Sequence, residues 1–304
     1  MQIPKAIEKI ALKIPLLGAC FRARQFKRYW SRYYPPGHFY SPIPSDADIE
    51  RWSQSRPVIG ENSGLEFNLT AQQALVAELA RLYREIPFQA KPAGNLRYYF
   101  ENPYFSYPDA IFLHLLIRHL QPRRIVEVGS GFSSAVMLDT VERFQPGSVR
   151  LTFIEPYTER LRSLLRAEDA QRCTIVEQAV QGVDLKLFTA LESGDILFID
   201  SSHVSKAGSD VNFLVFEVFP RLQPGVWIHI HDVFSNFDYP ENWLREGRAW
   251  NEDYLIRAFL MFNDTFEMML HGPYCVDQHR RWFQENMPDC LKNNGGSLWI
   301  RRKK

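Results

Sequence analysis

Three stretches of this 304-residue chain gather side chains able to do chemistry. In the first, Glu127-Val128-Gly129-Ser130-Gly131 ends an apolar run and leads into Ser133-Ser134, so a glycine turn stands between a strand end and a helix start. Glycine lets the backbone approach a ligand closely, and open parallel sheets bind small molecules at the carboxyl ends of their strands. A dinucleotide turn would carry a third glycine where Ser134 stands, and Glu127 would oppose a pyrophosphate. A sulfonium cation with an α-amino group suits that acid better. In the second stretch, Glu155 closes the next apolar run, 24 residues after Gly131, where a carboxylate can accept hydrogen bonds from both hydroxyls of a ribose. In the third, Asp200 and then His231-Asp232 close two further runs, with His203 on the loop after Asp200. An imidazole titrates near neutral pH, so His203 is the leading general base, with Asp200 beside it. The plainer alternatives are an acid at a strand end that caps a helix, and aspartates that bond only the ligand's amine and nearby backbone.

The elements that must hold these groups alternate. Short β-like runs at Arg124–Val128, Leu151–Glu155, Thr174–Glu177, Ile196–Asp200 and Val226–His231 are separated by helical stretches near Ser133–Arg143, Thr158–Ala167, Asp184–Leu191 and Ala207–Leu222. Such alternation predicts a mostly parallel α/β sheet with crossover helices on both faces. A helix near Glu252–Phe262 and two final strands, Phe266–Leu270 and Ser297–Arg301, complete an order that resembles a Rossmann-like sheet, a resemblance that implies an antiparallel last strand. Upstream, Thr70 reads as the N-cap of a helix over Ala71–Glu85, where Leu75, Val76, Leu79 and Leu82 recur at helical spacing. Residues 33–64 are rich in Pro, Ser and aromatics and read as an irregular connector. The expected organisation is an extension over 1–64, a helical cap over 65–108 and the sheet domain over 109–304.

Composition sets bounds. At 45% hydrophobic and 23% charged, the chain can bury a full core. The net charge of +1 gives no reason to expect nucleic acid as a partner. Residues 1–35 carry eight Lys or Arg against Glu8, so this basic, amphipathic start suits a solvated helical extension, peripheral contact with an anionic membrane or a cover over the active site. Cys20, Cys173, Cys275 and Cys290 form neither a C-x-x-C pair nor a disulfide-like pattern, which fits a reducing cytoplasm. A homo-oligomer is compatible with all of this.

Ile125-Val126-Glu127-Val128-Gly129-Ser130-Gly131 resembles motif I of the class I methyltransferases. Asp195-Ile196-Leu197-Phe198-Ile199-Asp200-Ser201-Ser202-His203, Leu222-Gln223-Pro224-Gly225 and His231-Asp232 resemble the bacterial methyltransferase group of type 24, a likeness running from about Tyr98 to Arg301. The resemblance implies S-adenosylmethionine as cofactor, with Glu127, Gly129, Ser130, Gly131, Ser133, Glu155 and Asp200 as its contacts. Thr174–Gln181 is similar to the adenine-binding segment of catechol O-methyltransferase, which implies Gln181 at the adenine edge. In that enzyme's motif His203 falls at the catalytic lysine. In metal-dependent O-methyltransferases, positions matching Asp200, His231 and Asp232 hold a divalent ion. Mg²⁺ prefers oxygen donors, whereas an acid, imidazole and acid set suits Mn²⁺, Fe²⁺ or Zn²⁺ better.

The expected activity is O-methylation of a small molecule, a sugar or secondary metabolite, by His203 with optional metal assistance. The competing expectations are a cofactor-binding partner subunit without catalysis and a non-methylating enzyme on the same fold. Trp250-Asn251-Glu252, after the fifth strand, could line the acceptor pocket, although these residues, Asp210 and Asn212 are more simply structural; the aromatics of Tyr98–Phe105 divide between core and cleft.

Overall fold

The computed structural model describes residues 34–56, 59–60 and 63–304, so nearly all of the basic start lies outside the described residues. Its centre is a seven-stranded sheet of β1 (Arg124–Val128), β2 (Arg150–Ile154), β3 (Cys173–Val176), β4 (Ile196–Ile199), β5 (Trp227–Ile230), β6 (Phe266–His271) and β7 (Leu298–Arg302). Their order is β3-β2-β1-β4-β5-β7-β6. The first five run parallel, and β7 is antiparallel to both β5 and β6. The chain order reverses between β1 and β4, and a ligand crevice opens at such a switch point.

The apolar runs form strands buried on both faces because helices cover each side. Successive side chains point to opposite faces. Ile125 therefore joins the core beneath the helices Tyr107–Leu120 and Phe132–Phe144, while Val126 and Val128 join the one containing Leu214, Val218 and Ile256. Val76 and Leu79 pack into the same core as Ile125.

Several local expectations give way to stronger physics. The connector over 33–64 contains a helix, Asp46–Ser55, started by a capping box in which Ser45 and Asp48 bond each other's backbone N–H. The Pro-rich composition around it hides this signal. The next helix spans Leu69–Leu79 behind Asn68, whose φ of 50° is left-handed, so Thr70 lies inside the helix instead of capping it. The stretch predicted as one helix over 207–222 begins only at Asp210, capped by the Ser209 hydroxyl, then widens to a π turn at Leu214–Val218 and tightens at Phe219–Arg221. Pro220 has no backbone N–H to continue the α pattern.

The described residues up to 56 and Pro240–Ala249 form one compact unit, and the remainder forms another. Within the smaller unit, the Ser53 hydroxyl donates to Glu241 at 2.8 Å and Arg245 pairs with Glu50 at 3.4 Å. Within the larger, buried Arg97 is clamped by Asp139 at 2.6 Å, Glu142 at 2.8 Å and Asp169. A buried guanidinium is tolerated only when so paired. The clamp anchors the segment in which the Tyr98 hydroxyl donates to the Phe105 carbonyl at 2.8 Å, delivering Tyr104 and Phe105 to the crevice.

Candidate active site

The glycine turn is threaded between its neighbouring strands. Gly129 donates its N–H to the Ile154 carbonyl at 3.0 Å, and Asp200 donates to the Val128 carbonyl at 2.9 Å. With φ at +82°, Gly129 passes so close to β4 that a β-carbon would sit 1.7 Å from the Asp200 carbonyl oxygen. Only glycine fits there.

Behind the turn, Glu127 is fully buried and accepts the Ser133 hydroxyl at 2.6 Å and the Ser134 hydroxyl. Ser134 in turn accepts the Gly131 N–H at 3.0 Å. Burial pushes the Glu127 carboxyl up to about 8 against the opposing pull of these hydroxyls. Expected as cofactor contacts, Glu127 and Ser133 are absent from the cleft lining. The strand alternation sends the odd-numbered side chains of β1 under the helix, so Glu127 pins the turn from beneath.

The other expected residues line one cleft of about 640 Å³. They follow the strand order across the sheet. Gln181 comes after β3, Glu155 after β2, Gly129, Ser130 and Gly131 after β1, Asp200 and His203 after β4, and His231 with Asp232 after β5. Glu155 accepts the Ser130 N–H at 3.0 Å on one oxygen and the Tyr157 N–H at 2.7 Å on the other. Gln181 donates to the Gly208 carbonyl at 2.8 Å.

At the β4 and β5 ends, His203 and Asp232 both adopt left-handed backbone, with φ of 58° and 56°. Each such residue costs on the order of 1 kcal/mol or more, and strain of this kind gathers at functional sites. His203 is buried, with Nε2 at 3.6 Å from both Asp200 and Asp232 and Nδ1 at 2.9 Å from Glu252. Burial disfavours a charged imidazole, but Asp200 and Glu252 prevail and raise the His203 pKa well above its ordinary value. Burial likewise opposes ionisation of Asp200, yet His231 and His203 hold its carboxyl at about 2. His231 is also shifted upwards, by Asp200, Asp232 and Asp109 against its own burial, and its Nδ1 has no partner among the described residues.

The expected ligands Asp200, His231 and Asp232 line the same rim of the cleft, with His231 Nε2 at 3.7 Å from Asp232 and His203 Nε2 at 3.6 Å from both aspartates. No group of three or more His, Cys, Asp or Glu among the described residues converges as a ligand set.

Some neighbours carry more weight than their sequence context suggests. Glu252 bonds His203, and the Trp250 ring lies 4.5 Å from the imidazole, although no motif marks either residue. Arg160 stacks on Tyr104 at 3.7 Å, and both line the cleft. Asp210 accepts the backbone N–H of Ser202 at 2.9 Å and folds the loop that carries His203. His229 is buried against Phe198 and bonded to Ser297 at 3.1 Å, away from the cleft lining. No helix among the described residues is long and apolar enough to cross a membrane.

Comparison with known proteins places this cleft. Residues 126–233, from β1 to just past β5, match a family described as "Methyltransferase domain", type 24. An uncharacterized protein of Archaeoglobus fulgidus is 34% identical over 183 residues, which cover 58% of this chain and 81% of the relative. Among solved structures, a Podospora anserina methyltransferase bound to S-adenosylhomocysteine is 15% identical, with a TM-score of 0.42 over 86% of this chain and 97% of that one. The O-methyltransferase TomG of Streptomyces achromogenes, in complex with S-adenosylmethionine, is 17% identical, with a TM-score of 0.42 over 84% and 99%. The family match covers the glycine turn and the ends of β2, β4 and β5, which are the strands that build the cleft. Residues 126–233 of this chain are thus a methyltransferase domain of the type 24 family.

Proposed function

We propose that this chain transfers the methyl group of S-adenosylmethionine to a hydroxyl oxygen of a small molecule, with His203 removing the acceptor's proton. The observation that carries the reading is the gathering of the glycine turn, Glu155, Asp200 and His203 around one cleft of about 640 Å³. That volume lies within the ordinary range for small-molecule sites, and it suits a cofactor with a compact acceptor.

The residues present fit the cofactor. Gly129, Ser130 and Gly131 line the cleft, and the absence of a side chain at 129 lets the turn lie against the end of β4. Each Glu155 oxygen accepts one backbone N–H, and a carboxylate has about four acceptor sites, so one remains on each oxygen for the two ribose hydroxyls. Gln181 would face the adenine edge, and ionised Asp200 would attract the positive charge of the cofactor. When bound, S-adenosylmethionine supplies a methyl group already activated by its sulfonium. The chain's own tasks are to align the acceptor oxygen with that group, exclude water and take up one proton at His203 Nε2. The oxygen–carbon bond forms as the carbon–sulfur bond breaks, leaving S-adenosylhomocysteine.

Titration calorimetry tests the binding half. Glu155→Ala should weaken S-adenosylmethionine binding roughly 30-fold or more, the loss expected from about 2 kcal/mol of hydrogen bonding to a charged group. Absence of binding by the unaltered protein would end the reading. Metal assistance is tested separately. Because no group of three or more His, Cys, Asp or Glu among the described residues converges as a ligand set, methyl transfer should survive a chelator. Loss of transfer, restored by Mg²⁺, Mn²⁺ or Fe²⁺, would instead make Asp200, His231 and Asp232 ligands.

A further inference from the structure

We propose that Glu252 is the positioning residue that orients His203 for proton removal, an inference that rests on His203 being the base. Glu252 opens the helix Glu252–Leu260, where a carboxylate is favoured by the backbone N–H groups of the first turn. That preference accounts for an exposed acid, but Glu252 is only 3% exposed. Burying a carboxylate is costly unless a partner compensates, and its partner is His203 Nδ1 at 2.9 Å.

Three further contacts come from the same short segment. The backbone N–H groups of Asn251 and Glu252 donate to the His203 carbonyl at 3.1 and 3.2 Å, and Trp250 packs against the ring. These bonds hold the left-handed backbone of His203 from outside its own loop. With Nδ1 committed to Glu252, Nε2 is left facing Asp200, Asp232 and the cleft. A base whose second nitrogen is fixed by a buried carboxylate is held in one tautomer and one orientation, the arrangement that makes a weak base effective. Glu252 touches neither cofactor nor acceptor, so its effect passes through His203.

The experiment has a spectroscopic arm and a kinetic arm. In nitrogen-15-labelled full-length protein saturated with S-adenosylhomocysteine, the His203 signals are identified by their loss in His203→Gln. The unaltered protein should show a hydrogen-bonded Nδ1–H that disappears or moves far upfield in Glu252→Gln and persists in Glu252→Asp. With labelled S-adenosylmethionine and catechol as the probe acceptor, Glu252→Gln should lower kcat about 100-fold, at the lower end of what an acid–base group contributes, and leave the cofactor KM within about twofold. Glu252→Asp should recover at least about a tenth of the kcat, because the carboxylate is kept. An Nδ1–H signal unchanged in Glu252→Gln overturns the proposal, as does an equal loss of kcat in Gln and Asp variants accompanied by a lowered melting temperature. Full methyl transfer by His203→Gln would defeat the base reading itself, while the Nδ1–H signal would still report whether Glu252 holds the ring.

Discussion

Gly129→Ala should abolish measurable S-adenosylmethionine binding and lower the melting temperature by several degrees. The added β-carbon would meet the Asp200 carbonyl oxygen at 1.7 Å, with the carbonyl carbon at 2.6 Å. Both atoms belong to the backbone of the neighbouring strand end, so no side chain can swing aside. Relief requires that the turn flip or that β1 and β4 part where Asp200 N–H bonds the Val128 carbonyl. Overpacking typically costs about 1–3 kcal/mol and sometimes more, and the left-handed φ adds about 1 kcal/mol. For a unit of this size, a loss of about 3 kcal/mol corresponds to roughly 6–12 °C. Gly147→Ala is the control, since Gly147 has a similar φ of +73° but nothing within 4 Å of its β-carbon position. It should lose only the conformational term and bind the cofactor normally. Calorimetry and thermal denaturation of the two variants decide the matter. Unaltered affinity and melting temperature in Gly129→Ala would mean that the turn does not lie against β4.

His203→Ala should retain cofactor affinity and lose about 10²–10⁴-fold in kcat, the range for a positioned acid–base group. Affinity is spared because the glycine turn and Glu155 lie on β1 and β2, whereas His203 follows β4. The pH dependence has a definite sign. Asp200 and Glu252 stabilise the protonated ring and raise its pKa well above 6.5. Only the neutral ring can accept a proton, so turnover should climb with pH through and beyond neutrality, and level off only once that raised value is passed. In His203→Ala the climb should vanish together with the rate. Initial rates across the pH range in both proteins supply the test, and full turnover by His203→Ala at every pH would remove His203 from the mechanism.

Local sequence was most informative where a single short stretch contains both the signal and its consequence. β1 spans Arg124–Val128 as its apolar run predicts, because a buried parallel strand needs little beyond uninterrupted apolar residues ending at a glycine. The same holds for the positions of Gly129, Glu155, Asp200 and His203, each of which follows a strand end and therefore falls on one rim once the strands pair in parallel. Boundaries set by competition between local signals were less legible. The π turn ahead of Pro220 and the helix behind Ser45 each depend on which of several nearby caps and breakers prevails.

Tertiary structure alone decided the direction in which side chains point and the charges that meet across long separations. Glu127 belongs to the same motif as Gly129, yet strand alternation and the serines of the following helix turn it away from the cleft. Glu252 lies 49 residues from His203, and no pattern in the chain links them. Packing the helix Glu252–Leu260 beside the ends of β4 and β5 makes that acid the imidazole's partner. The types of group at the site and the strands that carry them are thus properties of the sequence, whereas the upward shift of the His203 pKa and its pairing with Glu252 are properties of the fold. Residue identity follows from local spacing, but an electrostatic environment is a sum over charges that only the folded chain brings within a few ångströms.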